Sequence, residues 1–171
     1  YTVLTGIIHP ESQQPTTRRA WAWAASHLPE LQRIEPAGED ASFRAYYRMH
    51  SPHQSCILMQ ASEEKDAAQA FAALQPSYAK LGLHTPEILA ASLNEGWLLL
   101  SDFGNNLLLH TLTEANREQH YPALLQQIPR IQRLPNVHPT PLMHFDETVM
   151  HEEWQLCWQW YALKHRGYCL S

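Results

Sequence analysis

Cysteine is scarce in this sequence, positive charge is in deficit, and no apolar run is long enough to cross a membrane. The three cysteines, Cys56, Cys157 and Cys169, are an odd number without paired spacing. That pattern argues against a disulfide framework and suits free thiols in a reducing cytoplasm. Twelve Lys and Arg against 17 Asp and Glu leave a formal charge of -5, so no basic stripe is available and nucleic acid is not expected as a partner. No segment approaches the roughly 20 apolar residues that span a bilayer, and no secretory signal is visible, so no membrane partner is expected either. Metal-site patterns are missing too. His50 and His53 are the one close pair among 11 histidines, and no cysteine is spaced to complete a zinc site with them. His151-Glu152 is followed by Gln155 where the H-E-x-x-H motif needs histidine. What is present is apolar enough for a packed core: 44% of the 171 residues are hydrophobic and 17% charged. The first residue is Tyr1, and both ends are expected to be cuts.

Residues 1–15 have no period and are expected to form a tail. From Thr16 or Thr17 a hydroxyl-capped helix is expected, with Trp21, Ala24, Ala25 and Leu28 on one face and Pro29 as its stop. Trp21 and Trp23, two positions apart, point to different faces. Leu31 to Pro36 and Phe43 to Met49 read as strands joined by a small-residue loop, and Ser55 to Gln60 as a third, buried strand. Ser62 is then expected to cap a helix with Glu63, Glu64 and Asp66 in its first turn. Ala67, Phe71, Leu74, Tyr78 and Leu81 give that helix its amphipathic period, and Gly82 closes it. Pro86 to Ala91, a turn at Asn94-Glu95-Gly96, and Trp97 to Leu100 complete two more strands. The expected fold is α+β: a five-stranded antiparallel sheet with a helix inserted after the third strand.

After Gly104 the strands disappear. Leu107 to Leu112 reads as a short helical segment, and Thr113 as the cap of a helix carrying Tyr121, Leu124, Leu125, Ile128 and Ile131. Pro135 to Pro141 reads as a loop, and Phe145 to Lys164 as a helix with Val149, Met150, Trp154, Cys157 and Tyr161 on one side. Between the two parts lies GWLLLSDFG, Gly96 to Gly104, a buried strand emptying into a turn. Its D-F-G string invites a protein-kinase reading with a magnesium aspartate. The order of motifs argues against it, because no H-R-D-x-x-x-x-N loop precedes Asp102.

Several segments resemble the aminoglycoside phosphotransferase family of the protein-kinase-like fold. They are Gly38 to Arg48, Leu58 to Ala61 with the acidic helix start after it, Gly82-Leu83 with Thr85 to Leu89, and Gly96 to Gly104. The nearest branch resembles the cytoplasmic kinases of N-acetylmuramic acid and N-acetylglucosamine, and Met150 to Tyr161 resembles the helix that opens the second lobe there. The resemblance implies a nucleotide-binding N-lobe over residues 16–100, a hinge over 101–106, and the start of a helical C-lobe over 107–171. It implies ATP and Mg2+ as cofactors and an amino sugar or other small-molecule alcohol as acceptor, with a role in peptidoglycan recycling. Leu100, Ser101, Asp102 and Phe103 would hold the adenine edge. The loop Gly38, Glu39, Asp40, Ala41 and Ser42 would lie over the triphosphate, and Ile34, Phe43, Leu58 and Pro86 would wall the base.

Two departures from the family pattern stand out. The third-strand lysine that pairs with a helix glutamate to hold phosphates is replaced by Met59-Gln60, and Ala67 to Leu74 contains no acidic residue. The catalytic aspartate, the asparagine after it and the metal aspartate are expected beyond Ser171, so these residues alone are expected to be inactive. Trp154, Trp158 and Trp160 either border the acceptor or pack a core. A non-catalytic kinase-like module that binds a nucleotide or a protein is the rival from another class. An aminoglycoside, choline-like or homoserine-like acceptor is the rival within the family.

Overall fold

The computed structural model describes residues 14–38, 43–134 and 145–168. The chain divides into two compact units, residues 1–140 and 141–171. Residues 1–13, Glu39 to Ser42 and the expected loop at Pro135 to Pro141 lie outside the described residues, apart from Gln14 and Pro15 of the expected tail.

Helix α1, Pro15–Ala25, starts on proline, whose fixed φ suits the first helical position and whose missing N–H costs no hydrogen bond there. No side chain caps it, so the hydroxyl cap expected at Thr16 or Thr17 is not used. Thr17, Ala20, Trp21 and Ala24 are buried, as is Leu28 beyond the last turn. That spacing lays one apolar stripe along the helix.

The strands are β1 (Arg33–Gly38), β2 (Ala45–His50), β3 (Ser55–Gln60), β4 (Ile88–Ser92) and β5 (Trp97–Ser101), with helix α2 (Lys65–Lys80) after the third. They form one sheet in the order β1-β2-β3-β5-β4, every pair antiparallel. The expected five-stranded sheet with its inserted helix is what the chain forms. Pro36, which cannot donate to a ladder, sits on the edge strand β1 beside a register shift between Pro36 and Gly38.

Alternation along the strands divides the core in two. Met49, Cys56, Leu58, Trp97 and Leu99 face α1 and pack with Ala20, Trp21, Ala24 and Leu28. Met59, Leu98 and Leu100 face the other way and pack with Ala61 and with Ala68 of α2. Each of these large side chains, once fully buried, stabilises the fold by about 1.5–3 kcal/mol. The expected cap of α2 is a correction. Ser62 Oγ accepts from the indole N–H of Trp97 at 3.0 Å, and the helix begins three residues later, flanked by Glu64 and with Asp66 in its first turn. Its C-terminus is as expected: Gly82 adopts φ +70°, and the Leu83 N–H reaches the Tyr78 carbonyl at 3.2 Å.

Beyond β5, the helix expected after Thr113 is two short ones, α4 (Arg117–Leu125) and α5 (Ile128–Ile131), preceded by α3 (Leu108–Thr111). Pro129 is the second residue of α5, and its missing N–H cannot continue the α4 ladder. Asn116, not Thr113, flanks α4, and its Oδ1 accepts the Thr113 N–H at 2.7 Å. The periodic residues Tyr121, Leu124, Leu125, Ile128 and Ile131 are exposed, so their face is uncovered among the described residues.

In the second unit the described residues are mainly helical. Asp146 Oδ1 caps α6 (Glu147–Leu156) by accepting the N–H groups of Thr148 and Val149 at 3.0 and 3.1 Å. The helix continues as a π-helical segment, Cys157–His165, in place of the single α-helix expected. Of the face expected to pack, Met150, Trp154, Cys157 and Tyr161 are exposed.

The β4–β5 turn supplies the test of this packing. Gly96 adopts φ +75°, and a Cβ there would stand 2.4 Å from the Ala61 carbonyl oxygen, while Ala61 N–H donates to the Gly96 carbonyl at 2.8 Å. Gly96→Ala therefore meets both backbone strain and a backbone clash, and is expected to cost on the order of 2–4 kcal/mol. Gly82→Ala has a similar φ but open space around it, and is expected to cost only about 1 kcal/mol. Urea unfolding of the two variants compares them, and equal losses would show that the Ala61 contact is not tight.

Candidate functional site

A cleft of about 410 Å3 lies on the α2 face of the sheet, at the end of β5. Its walls come from four places. Ala37 and Gly38 end β1, and Tyr46 and Arg48 come from β2. Ile57, Met59 and Phe71 form the apolar floor. Pro86 and Leu100 through Gly104 form the rim beside the connector.

The structure brings together six of the residues expected at a site: Gly38, Pro86, Leu100, Ser101, Asp102 and Phe103. It sends three elsewhere. Leu58 is fully buried in the α1-facing core and Ile34 packs against that same core, because side chains alternate and Ile57 and Met59 take the cleft side. Phe43 is 75% exposed and borders a separate, polar hollow with Tyr47, Gln60 and Lys65. Glu39, Asp40, Ala41 and Ser42 lie outside the described residues.

Composition and spacing did not single out the polar node of this cleft. Arg48 and Asp102 share the cleft face, with side chains 8% and 5% exposed. Arg48 Nε and Nη2 donate to the two Asp102 oxygens at 2.7 and 3.1 Å. Nη2 also reaches the Gly104 carbonyl at 3.2 Å, and Nη1 donates to Asn105 Oδ1. Asp102 accepts two further bonds, from Ser55 Oγ at 2.7 Å and from the Gly104 N–H at 2.8 Å. The one sequence signal for this node was an arginine in an inward position of the otherwise apolar and aromatic strand AYYRMH.

Burial alone would raise the Asp102 carboxyl, but the Arg48 hydrogen bonds, with Ser55 and Gly104 after them, hold it below its ordinary value of 3.8. Burial, with the Asp102 charge as a smaller cause, pushes the Cys56 thiol up, and Cys56 and Cys157 are both free. Arg48 and Asp102 are the only charged residues lining the cleft among those described, and each neutralises the other. The cleft therefore offers a largely apolar space without net charge and with a polar rim, suited to a heteroaromatic ring more than to a phosphate chain. The neighbourhood in which the resemblance places a lysine–glutamate pair, Met59-Gln60 and Ala67 to Leu74, holds neither residue, and Met59 and Ala68 share one buried apolar cluster. Among the described residues no set of three His, Cys, Asp or Glu could hold a metal ion, and Asp102 spends both oxygens on protein donors. These residues do not fit a magnesium site. Nor, among the described residues, is any helix long and apolar enough to cross a membrane.

A five-stranded antiparallel sheet whose last strand runs through a short connector into helices is a protein-kinase-like N-lobe followed by helices. A model of the phosphotransferase enzyme family matches residues 33–167, and the chain belongs to that family. It is 33% identical over 156 residues to an N-acetylmuramate/N-acetylglucosamine kinase of Pseudomonas aeruginosa, covering 85% of this chain and 46% of that protein. Proteins of the same name from Pseudomonas putida and Neisseria meningitidis are 30% and 27% identical, over 78% and 77% of this chain and 39% and 40% of theirs. The chain thus spans less than half the length of these curated relatives. No solved structure matches it significantly.

The ion pair gives an acid-dependent test. A carboxyl with a depressed folded-state pKa contributes stability that is complete above its unfolded value and is lost as pH falls through the folded value. Asp102→Asn leaves the Arg48 charge buried without its counter-ion, and is expected to cost about 3–5 kcal/mol near neutrality. That difference from the unaltered chain is expected to be constant above about pH 5 and to shrink as pH falls below the ordinary carboxyl value of about 3.9. Denaturant titrations of both chains over that range measure it; a difference that grows toward acid would contradict the pairing.

Proposed function

We propose that this chain is the nucleotide-binding part of an ATP-dependent kinase that phosphorylates N-acetylmuramate or N-acetylglucosamine. The observation that carries the proposal is the shared name of the relatives, which align across most of this chain. The cleft agrees with it in chemistry. Ile57, Met59 and Leu100 offer apolar contact to a base, and Ser101 to Phe103 lie where an extended backbone can read its edge. ATP supplies the phosphoryl group and Mg2+ the charge that offsets its oxygens, while this lobe binds and orients the base end. The metal ligands and the aspartate that meets the acceptor hydroxyl would come from residues outside these 171, since no complete H-x-D-x-x-x-x-N string occurs in them. On this reading the protein works in the cytoplasm, in peptidoglycan recycling.

One observation favours a second reading. With no lysine at Met59-Gln60 and no acidic residue in Ala67 to Leu74, where the family's phosphate-gripping pair is expected, the lobe also suits a non-catalytic module that binds a nucleotide or a protein.

A coupled assay of the full-length protein with ATP and each amino sugar separates the two. Magnesium-dependent transfer to N-acetylmuramate or N-acetylglucosamine is expected, and its absence with intact nucleotide binding would favour the second reading. The 171 residues alone are expected to show no turnover above buffer. They are also expected to bind ADP weakly by calorimetry, with little gain from magnesium. Reproducible turnover by this chain would place the catalytic residues within it and overturn the division of labour proposed.

A further inference from the structure

We infer that Arg48 is a positioning residue that fastens the connector after β5 in the shape a nucleotide base requires. The inference rests on the kinase reading above. From Asp102 to Leu107 the chain has neither helix nor strand, and Gly104 within it sits at φ +77°. Left to itself such a segment samples many conformations, and a ligand that needs one of them must select it at a loss of affinity. Arg48 removes that freedom. From β2, more than 50 residues away in sequence, its guanidinium reaches Asp102, the Gly104 carbonyl and Asn105 together.

Three features show that this is more than a surface ion pair. Both partners are more than nine-tenths buried. The planar fork of arginine serves three acceptors at once, which a lysine ammonium on a single point cannot reproduce. The segment it fastens is also the rim of the cleft, since Asp102, Phe103 and Gly104 line it beside Leu100. The guanidinium charge is spent inside this network, so its contribution to binding is geometric and falls on the base end of the nucleotide, leaving the acceptor and the chemical step aside.

The test uses the full-length enzyme with Arg48→Lys, which keeps the charge and loses the fork. The KM for ATP is expected to rise about tenfold, while kcat and the KM for the amino sugar stay within about threefold. Amide hydrogen exchange over residues 102–105 is expected to accelerate while α2 keeps its protection. Asn105→Ala removes one link at the exposed end of the network. It is expected to act in the same direction with a smaller effect, and it decides the matter if Arg48→Lys does not fold. Unchanged ATP KM and exchange in the folded variants overturn the positioning role. So does a parallel rise in both KM values with a lowered melting temperature, which would mark a general loss of stability. Failure of the unaltered enzyme to transfer phosphate would overturn the kinase reading and the positioning role with it, whereas normal transfer with indifferent variants overturns the positioning role alone.

Discussion

A strand buried on both faces must be covered on both, and β5 imposes that requirement on the whole lobe. Trp97, Leu98, Leu99 and Leu100 are all buried, so one helix cannot suffice. Helix α1 covers Trp97 and Leu99, and α2 covers Leu98 and Leu100. The neighbouring strand β3 obeys the same division, with Cys56 and Leu58 toward α1 and Met59 toward α2. The cleft lies on the α2 side, where the sheet runs past the helix toward the connector. Which side chains reach it follows from the two-residue period of the strands rather than from their hydrophobicity.

Where the apolar run of β5 ends, the same face continues with Asp102, and β2, on the far side of β3, offers Arg48 on that face. A charge placed there loses its water, and the loss is offset only if every lone pair and donor finds a partner. Asp102 finds Arg48, Ser55 and the Gly104 N–H, and Arg48 finds Asp102, Asn105 and the Gly104 carbonyl. The network thus ties β2, β3 and the connector at one point. It also explains why D-F-G in this chain is not free to ligate a metal: both carboxylate oxygens already accept protein hydrogen bonds.

The sheet was legible in the sequence because strong local signals agreed with the global arrangement. The turn at Gly96, the alternating and continuous apolar runs and the period of α2 all pointed one way. The facing of β3 was not legible. In SCILMQ four consecutive residues are apolar, so hydrophobicity carries no phase, and Leu58 was assigned to the cleft where Ile57 and Met59 belong. The Arg48–Asp102 pair was hidden for a different reason. Its members are 54 residues apart, and no local pattern reports a contact made only when β2 and β5 are brought into one sheet. The later part was read as helical, but its helices are broken into α4 and α5 and into α6 with a π-helical continuation, and a period shows only that a face wants cover. Tyr121, Leu124 and Trp154 have none among the described residues.

The absence of a lysine–glutamate pair from Met59-Gln60 and Ala67 to Leu74 is consistent with the same physics. A buried ion pair carries a desolvation cost that its attraction only partly offsets, and well-packed apolar residues in its place are often neutral or stabilising. In this lobe Met59 and Ala68 extend the buried cluster that holds Leu98 and Leu100. What it gives up is a fixed positive charge beside the cleft. Arg48 cannot supply one, because Asp102 neutralises it, and Lys65 borders the hollow that Phe43 and Gln60 share. If the lobe binds a nucleotide as proposed, base recognition and phosphate recognition are thereby separated. On the proposed reading the first would use the apolar slot of the described lobe with its anchored rim. The second would fall to groups outside that slot, and affinity in this lobe would then depend on how rigidly the rim is held more than on charge.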